Sequence, residues 1–388
     1  MTDLSPEVLA VHEATLVLDA HADIVLPDTA AMYLDPDRRS KVAPDKMRAG
    51  GMNAAVMSLA VGPGSRSPRS VAAAVAELDA KLDALAELAA DDGVVIATTA
   101  AEIRAAKDAD HVALVPGFQN FRSLDGDLAG LDRFYEAGAR VFALTHLGHN
   151  EWADSSRPQF NGKTGTYEPD SEHGGLAPRG VEAIARIGDM GGLLDISQLS
   201  RPATLQAIEL ARSPVVASHS NVQAICDVRR NLSDEEIDAV GANGGVIHVS
   251  GFLANLLPFS DPEMLAGIQA ARAAAGIPTA FDYPYELYWE ITDKTVKVEF
   301  LETVTGLLGP ATVHTMVDHL DYIVNRIGID HVGIGSDFNH GSGMVEGFDN
   351  ASESAHLTAA LLDRGYNAEA IAKIWSGNFL RCLEAATS

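Results

Sequence analysis

Apolar residues follow two alternating rhythms along this chain. Short, nearly unbroken runs rich in Val, Ile, Leu and Ala recur at 16–23, 53–60, 112–118, 140–146, 191–197, 214–220, 244–250 and 331–338. Between them lie longer stretches with apolar positions three and four apart. Val313, Met316, Val317, Leu320, Ile323, Val324 and Ile327 form one such stripe, and Gly328 follows as a C-cap. Residues 70–90 form a second, Ala-rich one. Runs this continuous suit strands covered on both faces, and strands alternating with helices suit parallel pairing through crossovers. Eight repeats of strand and helix predict an α/β fold of the (β/α)8 TIM-barrel type, with residues 1–388 as one domain.

Two stretches exceed a minimal barrel. The segment at about 147–180 is polar and rich in Gly, Pro and Ser, and loops of that length in compact domains are usually functional or mobile. The segment at about 253–310 is an insertion carrying Phe281, Tyr283, Tyr285, Tyr288 and Trp289. These aromatics suit a lid, a subunit interface or an extra helical hairpin with its own core.

Composition narrows the partners. With 47% hydrophobic and 21% charged residues the chain is an ordinary globular one. A formal charge of −26 argues against nucleic acid or an anionic membrane surface, since phosphates are repelled. No apolar run reaches the ~18–20 residues that span a bilayer, and the first residues lack a secretory pattern, so a cytoplasmic location is expected. Cys226 and Cys382 lie too far apart to form a metal-binding or disulfide motif and are expected to be inert.

Candidate chemistry lies at the strand ends. In this barrel type the C-terminal face carries the site. The runs end on His21 and Asp23, Gln119, His146, Gln198, His219, His248 and Asp337. Alternate strand positions share a face, so His21 and Asp23 converge as metal ligands do. A core histidine bonded to a nearby carboxylate has the same spacing. His149 and His173 are expected to be solvated loop residues, whereas His248 and His340 are candidates for the site.

The ordered motifs Asp19-Ala-His21-Ala-Asp23, Leu144-Thr-His146, Trp152-Ala-Asp154, Ser218-His219-Ser220, Arg229-Arg230-Asn231 and Gly333-Ile-Gly-Ser-Asp337-Phe resemble the renal (membrane) dipeptidases, peptidase family M19, over almost the whole chain. The resemblance implies a zinc-dependent dipeptide hydrolase with an amidohydrolase-type barrel, working as a homodimer on a small-molecule substrate. It implies one or two Zn2+ held by His21, Asp23 and His219, with Gln119, His248 and His340 as possible additions. His146 would steady the developing oxyanion, Arg230 would clamp a substrate carboxylate and Asp337 would handle the proton. Arg230 beside Asp227 also suits a surface ion pair.

Two positions depart from the family pattern. Gln119 stands where a bridging glutamate is expected and Gln198 where a zinc-binding histidine is expected. A neutral amide ligates zinc weakly, so both glutamines are also candidates for binding substrate. Two readings stay open: a metal-dependent hydrolase, mononuclear or of altered substrate, and a barrel that has lost its metals and now binds a ligand or performs non-hydrolytic chemistry.

Overall fold

The computed structural model describes residues 4–340 and 345–388. Eight parallel strands stand at the expected places: β1 Val17–Asp23, β2 Met52–Ala60, β3 Val112–Gln119, β4 Val141–Ala143, β5 Leu193–Asp195, β6 Val216–Ala217, β7 Val246–Ser250 and β8 Val332–Gly335. They pair in sequence order from β1 to β8. A ninth strand, Val94–Ile96, which the apolar runs do not predict, lies along the first half of β3.

Closure between β8 and β1 uses few ladder bonds. Asp23 N donates to Phe338 O at 2.9 Å and Asp337 N donates to His21 O at 2.9 Å. Asp19 reinforces this seam from within, accepting from Ser336 N at 2.7 Å and Ser336 Oγ at 2.5 Å. Burial pushes the Asp19 carboxyl up to about 6 even with these bonds.

The strand pleat divides the core in two. Leu18, Ala20, Ala54, Val56, Ala113, Val115, Val141, Leu193, Val216 and Val246 fill the barrel interior. Phe379, Leu380 and Leu383 of the C-terminal helix Asn378–Thr387 join that inner cluster. The alternate residues, such as Met57, Leu114, Phe142, Leu194, Ile247 and Ile334, pack outward against helices that include Pro68–Ala89 and Val313–Ile327.

The long polar segment after β4 is ordered by Asp154, whose carboxylate accepts from Ser171 Oγ at 2.6 Å, Glu172 N at 2.9 Å and Gly175 N at 3.0 Å. The insertion holds the helices Pro262–Ala274 and Lys294–Leu308, packed on each other. Its loop is gathered by buried Arg272, which donates to Pro278 O at 2.6 Å, Pro284 O at 3.3 Å and Glu286 O at 2.6 Å. No helix among the described residues is long and apolar enough to cross a membrane. Both cysteines are buried and unpaired, and burial pushes their thiols up to about 12 and 11, which keeps them protonated and unreactive.

Candidate metal and substrate centre

Strict alternation from inward-facing Leu18 and Ala20 would turn His21 away from the barrel interior. A register irregularity between Asp19 and Ala22 reverses this. His21 therefore stacks on His219 from the end of β6, with ring centroids 3.7 Å apart. His21 Nε2 lies 3.7 Å from Asp23 Oδ1, a buried oxygen with no hydrogen-bond partner among the described residues.

Ser218 determines which nitrogens carry protons. Its Oγ lies 2.5 Å from Asp195 Oδ2, so the hydroxyl hydrogen goes to the carboxylate. The same oxygen must then accept from His21 Nδ1 at 3.2 Å and His219 Nδ1 at 2.8 Å. In their neutral forms both rings thus present Nε2 as a lone pair. The facing pair of His21 Nε2 and Asp23 Oδ1 consists of two acceptors with no proton between them, an arrangement that a cation satisfies. His21, Asp195 and His219 also form the one cluster of ligand-type side chains among the described residues whose donor atoms all lie within 4.8 Å of one another.

The second half of the centre differs. Gln198, held at φ +69°, donates from Nε2 to His219 Nε2 at 3.2 Å. Its Oε1 accepts from Arg157 Nη2 at 2.9 Å. The amide thus covers the His219 lone pair, and a guanidinium occupies the oxygen that would otherwise face a metal. These residues fit one cation beside His21 and Asp23 and do not fit a second beside Gln198. Gln119, at the end of β3, is buried with its Nε2 unpartnered among the described residues.

The remaining candidates surround this pair. His340 Nδ1 lies 3.1 Å from Asp23 Oδ2. Burial alone would lower His340, but the Asp23 hydrogen bond and the charges of Asp337 and Asp23 hold it above its ordinary value. Burial alone would raise Asp23, yet the hydrogen bond and charge of His340, with Lys81 farther off, hold it well below the usual carboxylate range. His146, buried with Nδ1 unpartnered among the described residues, meets His340 edge-on at 5.4 Å. Burial, then the neighbouring His340 and Arg157 charges, keep it well below its ordinary value and so neutral. Asp337 follows β8 at φ +62°.

Arg230 is buried, donating to His219 O at 2.5 Å and Ser220 Oγ at 3.0 Å. Its expected surface partner Asp227 instead accepts from Gln223 Nε2 at 2.9 Å. Burial and the nearby Arg157 charge push Arg230 down to about 9.

His248 lies deeper, its Nδ1 donating to Ala217 O at 3.0 Å and its ring against Phe379 at 5.7 Å. His149 is buried, not solvated: its Nδ1 accepts from Ser155 N at 3.0 Å and its Nε2 donates to Pro169 O at 2.8 Å. His173 is tied down too, through Nε2 to Asn150 O at 2.8 Å.

Sequence reasoning missed Asp195, Arg157 and Lys81. A lone carboxylate inside the apolar run Leu193-Leu194-Asp195-Ile196 was the available signal for the first. Arg157 sits in a polar loop and Lys81 within the helix stripe, where nothing local marks them. Lys81 is buried, donating to Ala60 O at 2.5 Å, with Glu77 at 3.3 Å.

The family model for membrane dipeptidase, peptidase family M19, matches residues 6–388. The chain belongs to this family. Among curated relatives, it is similar to Dipeptidase aclJ of Aspergillus oryzae, 28% identical over 267 residues, covering 69% of this chain and 50% of that protein. Dipeptidase tcpJ of Claviceps purpurea is 27% identical over 271 residues, 70% of this chain and 50% of its own. The chain thus spans about half the length of these curated relatives. Among solved structures, the probable dipeptidase PvdM from Pseudomonas aeruginosa is 33% identical with a TM-score of 0.85, covering 98% of each chain. A metallo peptidase from Rhodobacter sphaeroides shares the fold at 20% identity and a TM-score of 0.70, covering 96% of this chain and 99% of its own.

Proposed function

We propose that this family member is a metal-dependent hydrolase of a dipeptide or small carboxylate-bearing amide that works with one firmly held cation, zinc by the character of its imidazole and carboxylate donors. The observation that carries this reading is the unbridged pair of His21 Nε2 and Asp23 Oδ1 at 3.7 Å, oriented through Ser218 and Asp195. His21 and Asp23 would hold the ion, and His219 would join them once the Gln198 amide that faces its Nε2 turns aside. A bound cation supplies a Lewis acid and a hydroxide near neutral pH.

The chain's own residues supply the rest. Arg230, buried with no carboxylate partner among the described residues, receives the substrate carboxylate. Neutral His146 offers an N–H to the carbonyl oxygen as charge develops there, and Gln119 offers its unpartnered amide to the substrate. Asp337, beside the metal pair through its backbone bond to His21, accepts and returns the proton.

Metal analysis by mass spectrometry on protein purified without chelator is the test. About one zinc per chain, lost in His21→Ala together with dipeptide hydrolysis, is the expected result. Protein that stays metal-free after incubation with zinc overturns the reading. That outcome favours the alternative of a repurposed, metal-free barrel, for which the bond between Arg157 and Gln198 is the supporting observation.

A further inference from the structure

The insertion roofs the centre just described. Tyr283, Tyr288 and Trp289 from it, with Tyr33, Phe160 and Phe252, wall a cavity of about 400 Å3 that His146, His340 and Arg157 also line. Tyr33 Oη and Tyr288 Oη lie 2.8 Å apart, joining the roof to the loop after β1. A second cavity of about 650 Å3, lined by Asp23 and Lys81, shares Tyr33, His146 and His340 with the first. Such aromatic walls suit a planar apolar group.

Arg157 adds a charge to this cavity. It is 8% exposed, and its Cζ lies 5.7 Å from the Tyr283 ring centroid. Its Nε has no hydrogen-bond partner among the described residues. Surface arginines such as Arg66, Arg229 and Arg326 each face a carboxylate. Arg157 has the neutral Gln198 oxygen instead, in a chain of net charge −26. Among the described residues no carboxylate lies within ion-pair distance of Arg157, Glu290 lining the same cavity without pairing to it; a buried guanidinium so placed is costly, and an anionic ligand removes that cost. Arg230 nearby has no carboxylate within ion-pair distance among the described residues either, Asp337 and Asp195 acting on it only from farther away, so the two arginines together suit two anionic groups.

We propose that the roofed cavity is a subsite for a substrate that carries an aromatic group and a second acidic group, and that Arg157 binds this second acid while Arg230 binds the first. The assignment of Arg230 rests on the function proposed above; that of Arg157 rests on the cavity. Three probes separate the contributions, measured by titration calorimetry on the full chain: N-benzoyl-L-glutamate, its one-acid isostere N-benzoyl-L-glutamine, and N-acetyl-L-glutamate, which lacks the ring. The expected result is that benzoylglutamate binds at least about tenfold more tightly than either of the others, in keeping with a charge-assisted bidentate contact.

Arg157→Gln levels the difference between benzoylglutamate and benzoylglutamine, and Arg157→Lys retains part of it. Tyr283→Leu reduces the advantage of benzoyl over acetyl. Affinities within twofold across the three probes overturn the proposal, as does discrimination that survives in a folded Arg157→Gln protein. If that variant does not fold, the probe series on the unmodified chain and on Arg157→Lys decides. Repeating the series on His21→Ala keeps the two readings apart, because loss of the metal removes hydrolysis and leaves the preference for an aromatic diacid in place.

Discussion

His319 shows how one buried side chain makes the whole protein sensitive to acid. It sits in the helix Val313–Ile327, where its Nδ1 accepts from Val222 N at 3.1 Å and its Nε2 donates to Leu256 O at 3.0 Å. That pattern needs the neutral ring, and burial pushes His319 down to about 4. Unfolded histidine titrates near 6.5, so between about 6.5 and 4 the unfolded chain binds a proton that the folded one does not. This contribution to stability is complete above the unfolded value and is lost as pH falls toward the folded one. It amounts to roughly 3 kcal/mol. Denaturant unfolding at several pH values between 7.5 and 4.5 should show a shallower decline for His319→Asn than for the wild type, whatever the mutant's stability at neutral pH. The sequence marks the helix stripe around His319 and not the two backbone groups that fix its tautomer, because these come from residues 97 and 63 positions away.

At the level of elements, β8 shows why a strand can require glycine. A Cβ at Gly335 would lie 1.9 Å from Ser218 O, and one at Gly333 would lie 2.4 Å from His248 Cδ2. The β8 backbone therefore closes against the end of β6 at the point where Ser218 orients both imidazoles. Gly335→Ala meets backbone, which cannot swing aside as a flexible side chain can. It should lower stability by about 3 kcal/mol or more and weaken zinc retention, read by thermal unfolding and metal content. The eight barrel strands were legible because buried parallel strands are unbroken apolar runs, whereas Val94–Ile96 was too short to register as one. Strand ends were less so: the run 140–146 yields only Val141–Ala143 as ladder, and Ala143 O and Leu144 O accept from Asn120 N and Phe121 N, beyond the end of β3. Left-handed Asn120, Gln198, Asp337 and Asn339 fall at the same strand ends, where local strain places side chains for function.

Across the whole molecule, a charge of −26 means strong self-repulsion in the folded state. Added salt screens it, the Debye length shrinking from about 30 Å at 0.01 M to about 8 Å at 0.15 M. The melting temperature should therefore rise with NaCl over this range in calorimetric scans, and a fall would mean that surface pairs such as Arg326 with Asp238 outweigh the repulsion. By itself the sequence determined the barrel, its eight strands and the convergence of polar residues at their ends, because burial on both faces and helical periodicity are written locally in residue type. Only the tertiary structure decided what those ends do together. The register shift in β1, the proton assignment through Ser218 and Asp195, the capping of His219 by Gln198 and the approach of Arg157 from a polar loop each join residues remote in sequence. Side-chain chemistry is local, but proton positions and charge partners belong to whichever segments the fold brings within about 3 Å of one another.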